Sequence, residues 1–219
     1  MAIAQSIIPE RQQIRLSLVD WRTYGRLLRA FGDRSGIYLT FDRGELEIMS
    51  PQRKHERIGR ILSRMVETLT EELGLPVEGG KSTTLRRRKK KRGLEPDDCF
   101  WITNEPLIRG KDTLDLRIDP PPDLALETDM TSSSMDRMSI YPALRVPEVW
   151  RYEKECLTFH HLGPNGQYVP SKASLAFPMI TPDDLIRILD KRHEVDQNAL
   201  IREFRGWVRQ KTQNGGQRA

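Results

Sequence analysis

The sequence is poor in cysteine, in aromatic residues and in long apolar runs. Its two cysteines, Cys99 and Cys156, lack Cys-x-x-Cys spacing, which excludes a disulfide framework and argues against structural zinc; we expect two buried thiols. Aromatic content of 7% disfavours an RNA-binding module built on base stacking. No apolar run reaches the roughly 18 to 20 residues that cross a bilayer, and the first residues lack the features of a signal peptide. We therefore expect a cytoplasmic protein without a membrane span.

The length and composition are typical of a globular protein. A chain of 219 residues, 37% hydrophobic and 31% charged, can bury a full core. No internal repeat or linker divides it. We therefore predict a single domain over residues 1–210, followed by a polar, glycine-containing flexible tail over 211–219.

The positive charge of the chain is concentrated in one run of seven consecutive basic residues: Arg86, Arg87, Arg88, Lys89, Lys90, Lys91 and Arg92. Subtracting these seven cations from the formal net charge of +5 leaves −2, so the positive field is local. The flanking strand patterns place the run at a hairpin tip. We interpret it as a contact surface for nucleic-acid phosphates, the alternative being a solvated tip without a ligand.

Hydrophobic periodicity predicts the order helix, hairpin, helix, strands, helix, strands. A first helix is expected over 17–31, and Asp42-Arg43-Gly44 connects the two strands of a hairpin. An apolar stripe between Ile58 and Leu73 predicts a long helix, with Ser50 as its cap and Pro51 in its first turn. Further strands are expected over 82–86, 94–102, 124–128, 150–152, 157–161 and 168–169, and further helices over 139–144, 183–189 and 198–208. The pattern is that of a mixed α/β core.

Two of the predicted strands carry acidic residues. Along the strand expected over 94–102, Glu95, Asp97 and Cys99 share one face, because side chains alternate. If this strand pairs with the strand that contains Glu127, Asp97 and Glu127 come within reach of one divalent ion. Mg²⁺ prefers oxygen ligands and often takes only one or two protein carboxylates besides phosphate. The pattern therefore indicates metal-assisted phosphodiester cleavage, although the spacing equally allows strand-end acids that face solvent.

A third acid, Glu56, lies near the start of the long helix. On the helical wheel Glu56, Gly59 and Ser63 lie off the apolar stripe. The small residues of this flank would let the carboxylate approach the end of a sheet. The alternative is an acid that stabilises the helix N-terminus through the helix dipole, and the sequence does not separate the two.

Five segments occur in a characteristic order: Ile48-Met49-Ser50-Pro51, His55-Glu56-Arg57, Glu95-Pro96-Asp97, Pro121 to Glu127 and Ile140 to Tyr152. Together they resemble the Uma-two family of restriction endonuclease-like proteins, within the PD-(D/E)XK nuclease superfamily, over roughly residues 15 to 190. The combination is far more specific than any one segment. The resemblance implies a restriction endonuclease-like α/β fold, with a mixed central β-sheet flanked by helices and an N-terminal helix and hairpin.

The resemblance also implies a site. Asp97 and Glu127 would be the ligands of Mg²⁺ or Mn²⁺, and Glu56 would be the helix-borne acid of the same site. Where the superfamily has a lysine two residues after the second acid, this chain has Asp129, which cannot stabilise charge on phosphate. The matching cation is Arg137, expected to stabilise the transition state because arginine does not act as a general base. Asp129 either adds a ligand for a second metal or marks an altered site.

These inferences predict a metal-dependent endonuclease that hydrolyses DNA phosphodiester bonds with metal-activated water. Phosphate contacts from the basic run would make binding salt-sensitive without selecting a sequence. The alternative is a catalytically inactive nucleic-acid-binding or assembly protein on a nuclease fold. A homodimer is also expected, because cutting both strands of a duplex benefits from two symmetry-related sites.

Overall fold

Two β-sheets and six α-helices make up the described part of the chain. The computed structural model describes residues 12–32, 37–50, 53–128 and 135–216. The small sheet is antiparallel, with its five strands in the spatial order β1 (Gln12–Leu16), β3 (Glu45–Ser50), β2 (Tyr38–Asp42), β6 (Arg92–Leu94) and β5 (Leu85–Arg87).

The large sheet has six strands and is mixed. Their spatial order is β11 (Tyr168–Ser171), β10 (Cys156–Leu162), β9 (Glu148–Glu153), β8 (Leu124–Thr128), β7 (Asp98–Trp101) and β4 (Glu78–Gly79). Its neighbours β8 and β9 are parallel, and the other described pairs are antiparallel. The prediction of a mixed α/β fold flanked by helices is confirmed, with the N-terminal hairpin built into a sheet of its own.

The helices are α1 (Trp21–Phe31), α2 (Arg53–Leu73), α3 (Glu105–Ile108), α4 (Tyr141–Leu144), α5 (Pro182–Leu189) and α6 (Gln197–Gly216). Short 3₁₀ turns add Arg88–Lys90, Arg137–Ser139 and Asp190–His193. The segment from Lys211 to Gly216, expected to be part of a flexible tail, continues α6. Within the described ranges no helix combines the length and the apolar character that a bilayer crossing needs.

Helix α1 covers one face of the small sheet. It begins after Asp20, whose carboxylate accepts a hydrogen bond from the backbone N–H of Thr23 at 2.8 Å. Tyr24 stacks on Phe41 of β2 with ring centroids 4.8 Å apart, and Trp21 meets both rings edge-on. These aromatic contacts fix α1 over the strands that carry Leu39, Phe41 and Leu46 inward.

The main core lies between α2, α5, α6 and the large sheet. The apolar stripe of α2 is buried there from Ile58 to Leu69, in one core with Trp150, Phe159 and Phe177, as its helical spacing predicts, and Leu73 at its end is partly buried. Burial stabilises each such large side chain by about 1.5–3 kcal/mol. Pro51 lies outside the described residues, so its predicted place in the first turn of α2 stays a prediction.

The prediction of one continuous strand over 94–102 is wrong. Residues Arg92–Leu94 belong to the small sheet and Asp98–Trp101 to the large sheet, so 95–97 form the connection. Pro96 has no N–H to give to a sheet, and Glu95 uses its carboxylate to accept hydrogen bonds from Leu39 N at 2.9 Å and Thr84 Oγ1 at 2.8 Å. The predicted face shared by Glu95, Asp97 and Cys99 therefore does not exist.

The expectation of two buried thiols holds for one cysteine. Cys99 is buried in β7, whereas Cys156 is exposed. Cys156 opens β10 directly after Lys154 and Glu155, which both have positive φ in the tight β9–β10 turn. The first residue after such a turn lies at the edge of the core, so the thiol faces solvent.

Candidate active site

The connection between the two sheets places Asp97 beside the end of β8. Since Asp98 pairs with Leu126, Asp97 lies level with Glu127 along the two strands. Asp97 Oδ2 accepts hydrogen bonds from the backbone N–H of Thr128 at 2.7 Å and from the Thr128 hydroxyl. Among the described residues, Asp97 Oδ1 has no hydrogen-bond donor. One oxygen of this half-buried carboxylate therefore fixes its position, and no described residue donates to the other.

Glu127 is buried and paired with Arg137. Arg137 Nε lies 2.9 Å from Glu127 Oε2, and Nη2 lies 2.7 Å from Oε1. The hydroxyl of Tyr141 donates to the same Oε1. Arg137 also donates to Thr40 Oγ1 and to the backbone carbonyl of Glu95, both at 2.7 Å. The arginine thus joins the small sheet, the connection between the sheets and β8.

The charges in this cluster are strongly coupled. Burial raises the pKa of Glu127, and the charge of Asp97 adds to the rise, whereas Arg137 opposes it. Burial disfavours the charge of Arg137, but Glu127, Tyr141 and Asp97 together raise the pKa of the guanidinium. Burial, followed by Glu127, raises the pKa of Tyr141, which therefore stays a neutral donor. Two N–H donors and one O–H donor around Glu127 are the environment of an ionised carboxylate.

Tyr38 of β2 lies in the electrostatic field of both Asp97 and Glu56. Burial raises the pKa of the Tyr38 hydroxyl, and the next contributions come from Asp97 and then Glu56. Both acids therefore lie in the electrostatic environment of one phenol. Our sequence reasoning missed Tyr38, although the alternation of Tyr38 and Thr40 with buried Leu39 and Phe41 is the signal that places them on the side opposite α1.

The small-residue flank of α2 packs against this end of the large sheet. A Cβ added at Gly59 would lie 3.6 Å from Thr128 Oγ1, and Ser63 Oγ donates to Asp98 Oδ2 at 2.5 Å. Glu56 lies on the first turn of the helix and is exposed. The helix is therefore close to the sheet end, as its sequence indicates, while the Glu56 carboxylate is directed to solvent.

The donor set fits the chemistry of a divalent cation with two protein ligands. A carboxylate has about four lone-pair sites. Counting only donors from the described residues, Arg137 and Tyr141 use three on Glu127, which leaves one on Oε2, and Asp97 Oδ1 has no donor. No group of three His, Cys, Asp or Glu side chains among the described residues is placed to hold a metal ion. An ion here would therefore need water and phosphate as its remaining ligands. Asp129 lies outside the described residues.

The basic run forms the β5–β6 hairpin, but its seven side chains have different surroundings. Arg92 lies 2.8 Å from Asp42 Oδ1 through Nε and 2.8 Å from the Ser139 carbonyl through Nη1. Arg87, on the same face, is half-buried and its Nε has no partner in the described structure. The other members of the run are exposed: Arg86, Arg88, Lys89, Lys90 and Lys91. Arg92 is therefore a structural residue, and the nucleic-acid contact of the run stays a prediction.

A mixed sheet with two acids at one end is typical of the restriction endonuclease-like class. The family model described as "Uma2: Putative restriction endonuclease" matches residues 21–190, and the chain belongs to this family. The resemblance inferred from the sequence motifs is thereby confirmed.

A solved structure is also similar to the chain, with a TM-score of 0.42 and 14% sequence identity over 68% of this chain and 89% of that one. It is described as "a putative nuclease belonging to DUF820 from Anabaena variabilis ATCC 29413". None of the curated proteins compared with the chain matches it.

Proposed function

We propose that the protein is a Mg²⁺- or Mn²⁺-dependent endonuclease that hydrolyses DNA phosphodiester bonds. The observation that carries the proposal is the placement of Asp97 and Glu127 side by side at the end of the mixed sheet, in a chain of the Uma2 family. Action in the cytoplasm, and as a homodimer that cuts two strands, are further parts of the proposal.

Each acid of the site has a distinct role in this proposal. Asp97, through Oδ1, and Glu127, through the remaining lone pair of Oε2, would hold the cation. Glu56 would act from the solvent side, through water. A bound cation supplies polarisation of the phosphate and a water of lowered pKa. The hydrogen bonds from Thr128 to Asp97 Oδ2 fix this carboxylate at the end of β8 and leave Oδ1 as the oxygen proposed to bind the cation.

Arg137 is proposed as the source of positive charge at the site. Nε and Nη2 of Arg137 both contact Glu127, and the Arg137 side chain is 8% exposed. These contacts favour a role through Glu127, by fixing the carboxylate and balancing its charge, over direct contact with phosphate. Arg137 is in this sense a positioning residue. Tyr141 and Thr40 hold the same pair from two other elements.

A second candidate function is a nucleic-acid-binding or assembly protein that has lost cleavage. The Glu127–Arg137 pair favours it, because an arginine that occupies both carboxylate oxygens competes with a metal for the same ligand. In that case the exposed lysines of the hairpin tip retain the binding to phosphate.

Nicking of supercoiled plasmid in Mn²⁺ or Mg²⁺ separates the two functions. The nuclease proposal predicts chelator-sensitive nicking that is lost in Asp97→Asn and kept in Asp112→Asn, which removes an exposed acid elsewhere. DNA binding without nicking under any metal condition would establish the second function instead.

A further inference from the structure

A cavity of about 710 Å³ lies between α1, the β5–β6 hairpin and the loop around residue 115. Its lining is dominated by arginine: Arg22, Arg29, Arg86, Arg88 and Arg117. Trp21, Gly25 and Asp115 also line it. Five guanidinium groups around one cavity make it a strongly cationic concave surface.

The cavity and the acidic pair lie on opposite faces of the small sheet. Phe41 pairs with Gly93, and Gly93 pairs with Arg86, so the Arg86 side chain shares the face that α1 covers. Thr40, the neighbour of Phe41 in β2, points to the other face, where it accepts the hydrogen bond from Arg137. The cavity is therefore separate from the candidate active site.

Among the described residues, most of the positive charge at the cavity has no balancing carboxylate. Asp115 is the acid in the lining, and it pairs with Arg117 at 2.5 Å. In the ranges that the structure describes, no carboxylate lies within ion-pair distance of the other four arginines. A Cβ added at Gly25 would lie 3.7 Å from Arg29 Nη1 and 3.9 Å from Arg86 Nη1, so two like charges lie close to one point. Such a cluster is electrostatically unfavourable until an anion neutralises it.

We propose that this cavity binds the phosphate groups of a nucleotide. Guanidinium groups match phosphate oxygens in paired hydrogen bonds. The four arginines other than Arg117 carry more positive charge than one carboxylate or one small inorganic anion would neutralise. The volume falls in the range of small-molecule sites, roughly 300–1,000 Å³. Trp21 adds an aromatic surface beside the cations, on which a base can stack. The inference does not depend on the proposed nuclease activity, since the cavity lies on the other face of the small sheet, although Arg86 and Arg88 also belong to the basic run that is predicted to contact nucleic-acid phosphates.

Two kinds of ligand carry such phosphate groups: a free nucleotide and the phosphorylated end of a nucleic-acid strand. Calorimetric titrations with deoxyadenosine triphosphate, with pyrophosphate, and with a short single strand carrying either a 5′-phosphate or a 5′-hydroxyl distinguish them. Arg29→Gln and Arg86→Gln remove exposed cavity arginines and leave the core intact. Arg26→Gln is the matched control, because Arg26 is an exposed arginine of the same helix that does not line the cavity.

We expect the triphosphate or the 5′-phosphorylated strand to bind more tightly than pyrophosphate, with at least a tenfold loss in Arg29→Gln and in Arg86→Gln and no loss in Arg26→Gln. Preference for the 5′-phosphate over the 5′-hydroxyl strand assigns the cavity to strand ends, and triphosphate binding without that preference assigns it to free nucleotides. Absence of binding by all four probes, or equal losses in Arg26→Gln, would overturn the proposal.

Discussion

Arg137 and Glu127 form a two-bond pair in the interior, with Nε and Nη2 of the arginine 2.9 and 2.7 Å from the two carboxylate oxygens. The side chains are 8% and 7% exposed. A buried charge pair is held by mutual compensation, so each partner depends on the other. This pair lies where β8, the small sheet and the 95–97 connection meet, so it joins three parts of the fold at the proposed site.

Removing Arg137 alone is expected to destabilise the protein strongly. Arg137→Met leaves Glu127 buried without its counter-charge, and the free energy of unfolding is expected to fall by about 3–5 kcal/mol. The double variant Arg137→Met, Glu127→Leu is expected to recover part of that loss. Urea unfolding checks both. Lys191→Ala, which breaks an exposed ion pair with Glu203, is the control and is expected to cost at most about 1 kcal/mol. A similar cost for Arg137→Met would contradict the account.

Glu72 is expected to make stability depend on pH in acid. Hydrogen bonds from Arg209 and Arg205 lower the pKa of Glu72 from its ordinary 4.5 to about 2. A lowered pKa in the folded state gives stability that is present above pH 4.5 and is lost as the pH falls towards 2. Thermal unfolding should therefore show a gap between the unmodified protein and Glu72→Gln that closes on acidification. Glu67→Gln, an exposed change on the same helix, is expected to show no such gap.

The basic run is expected to divide into binding and structural residues. Replacing Lys89, Lys90 and Lys91 with alanine should weaken DNA binding and reduce the slope of log affinity against log salt by about 0.9 for each phosphate that is no longer neutralised. Their exposure predicts unchanged stability. Arg92→Ala should instead reduce the free energy of unfolding by roughly 1–3 kcal/mol, because it removes bonds to Asp42 and to the Ser139 carbonyl. Fluorescence anisotropy at several salt concentrations and urea unfolding separate the two effects; equal stability losses would refute the division.

Replacing two glycines with alanine is expected to change the stability of the protein in opposite directions. A Cβ at Gly80 would lie 2.5 Å from Trp101 Cζ3 and 2.8 Å from Cys99 Sγ, so Gly80→Ala should cost about 1–3 kcal/mol by overpacking. At Gly206, within α6, a Cβ would meet no heavy atom within 4 Å. Gly206→Ala should therefore stabilise the helix by about 0.5–1 kcal/mol. The melting temperatures of the two variants test both predictions. A Gly80→Ala protein as stable as the unmodified one would show that Trp101 and β7 move to accommodate the added Cβ.

Local sequence signals predicted most of the elements. The hairpin around Gly44, the stripe of α2 and the apolar run of β8 all formed as their periodicity indicates. Prediction failed at 94–102, because its apolar and β-prone residues fit a strand while Pro96 and the Glu95 bonds to Leu39 and Thr84 divide it between two sheets. Such long-range bonds have no local signature.

The candidate site was predictable in its acids and less so in their partners. The order of the motifs pointed to Asp97 and Glu127, and the antiparallel register of β7 and β8, in which Asp98 pairs with Leu126, brings the two acids level. The hydrogen bonds from Arg137 to Glu127, and the electrostatic effect of Asp97 and Glu56 on Tyr38, depend on packing between elements far apart in the chain. Likewise, the basic run gave the location of positive charge, but not the division of its side chains between two faces of a sheet.

Calorimetric titration of Mn²⁺ into the metal-free protein and into Asp97→Ala tests the central claim most directly, with Asp112→Ala as the control and plasmid nicking measured on the same samples. Mn²⁺ binding and nicking are both expected to be lost in Asp97→Ala and both to be retained in Asp112→Ala. No Mn²⁺ binding by the unmodified protein, or binding unchanged in Asp97→Ala, would contradict this claim.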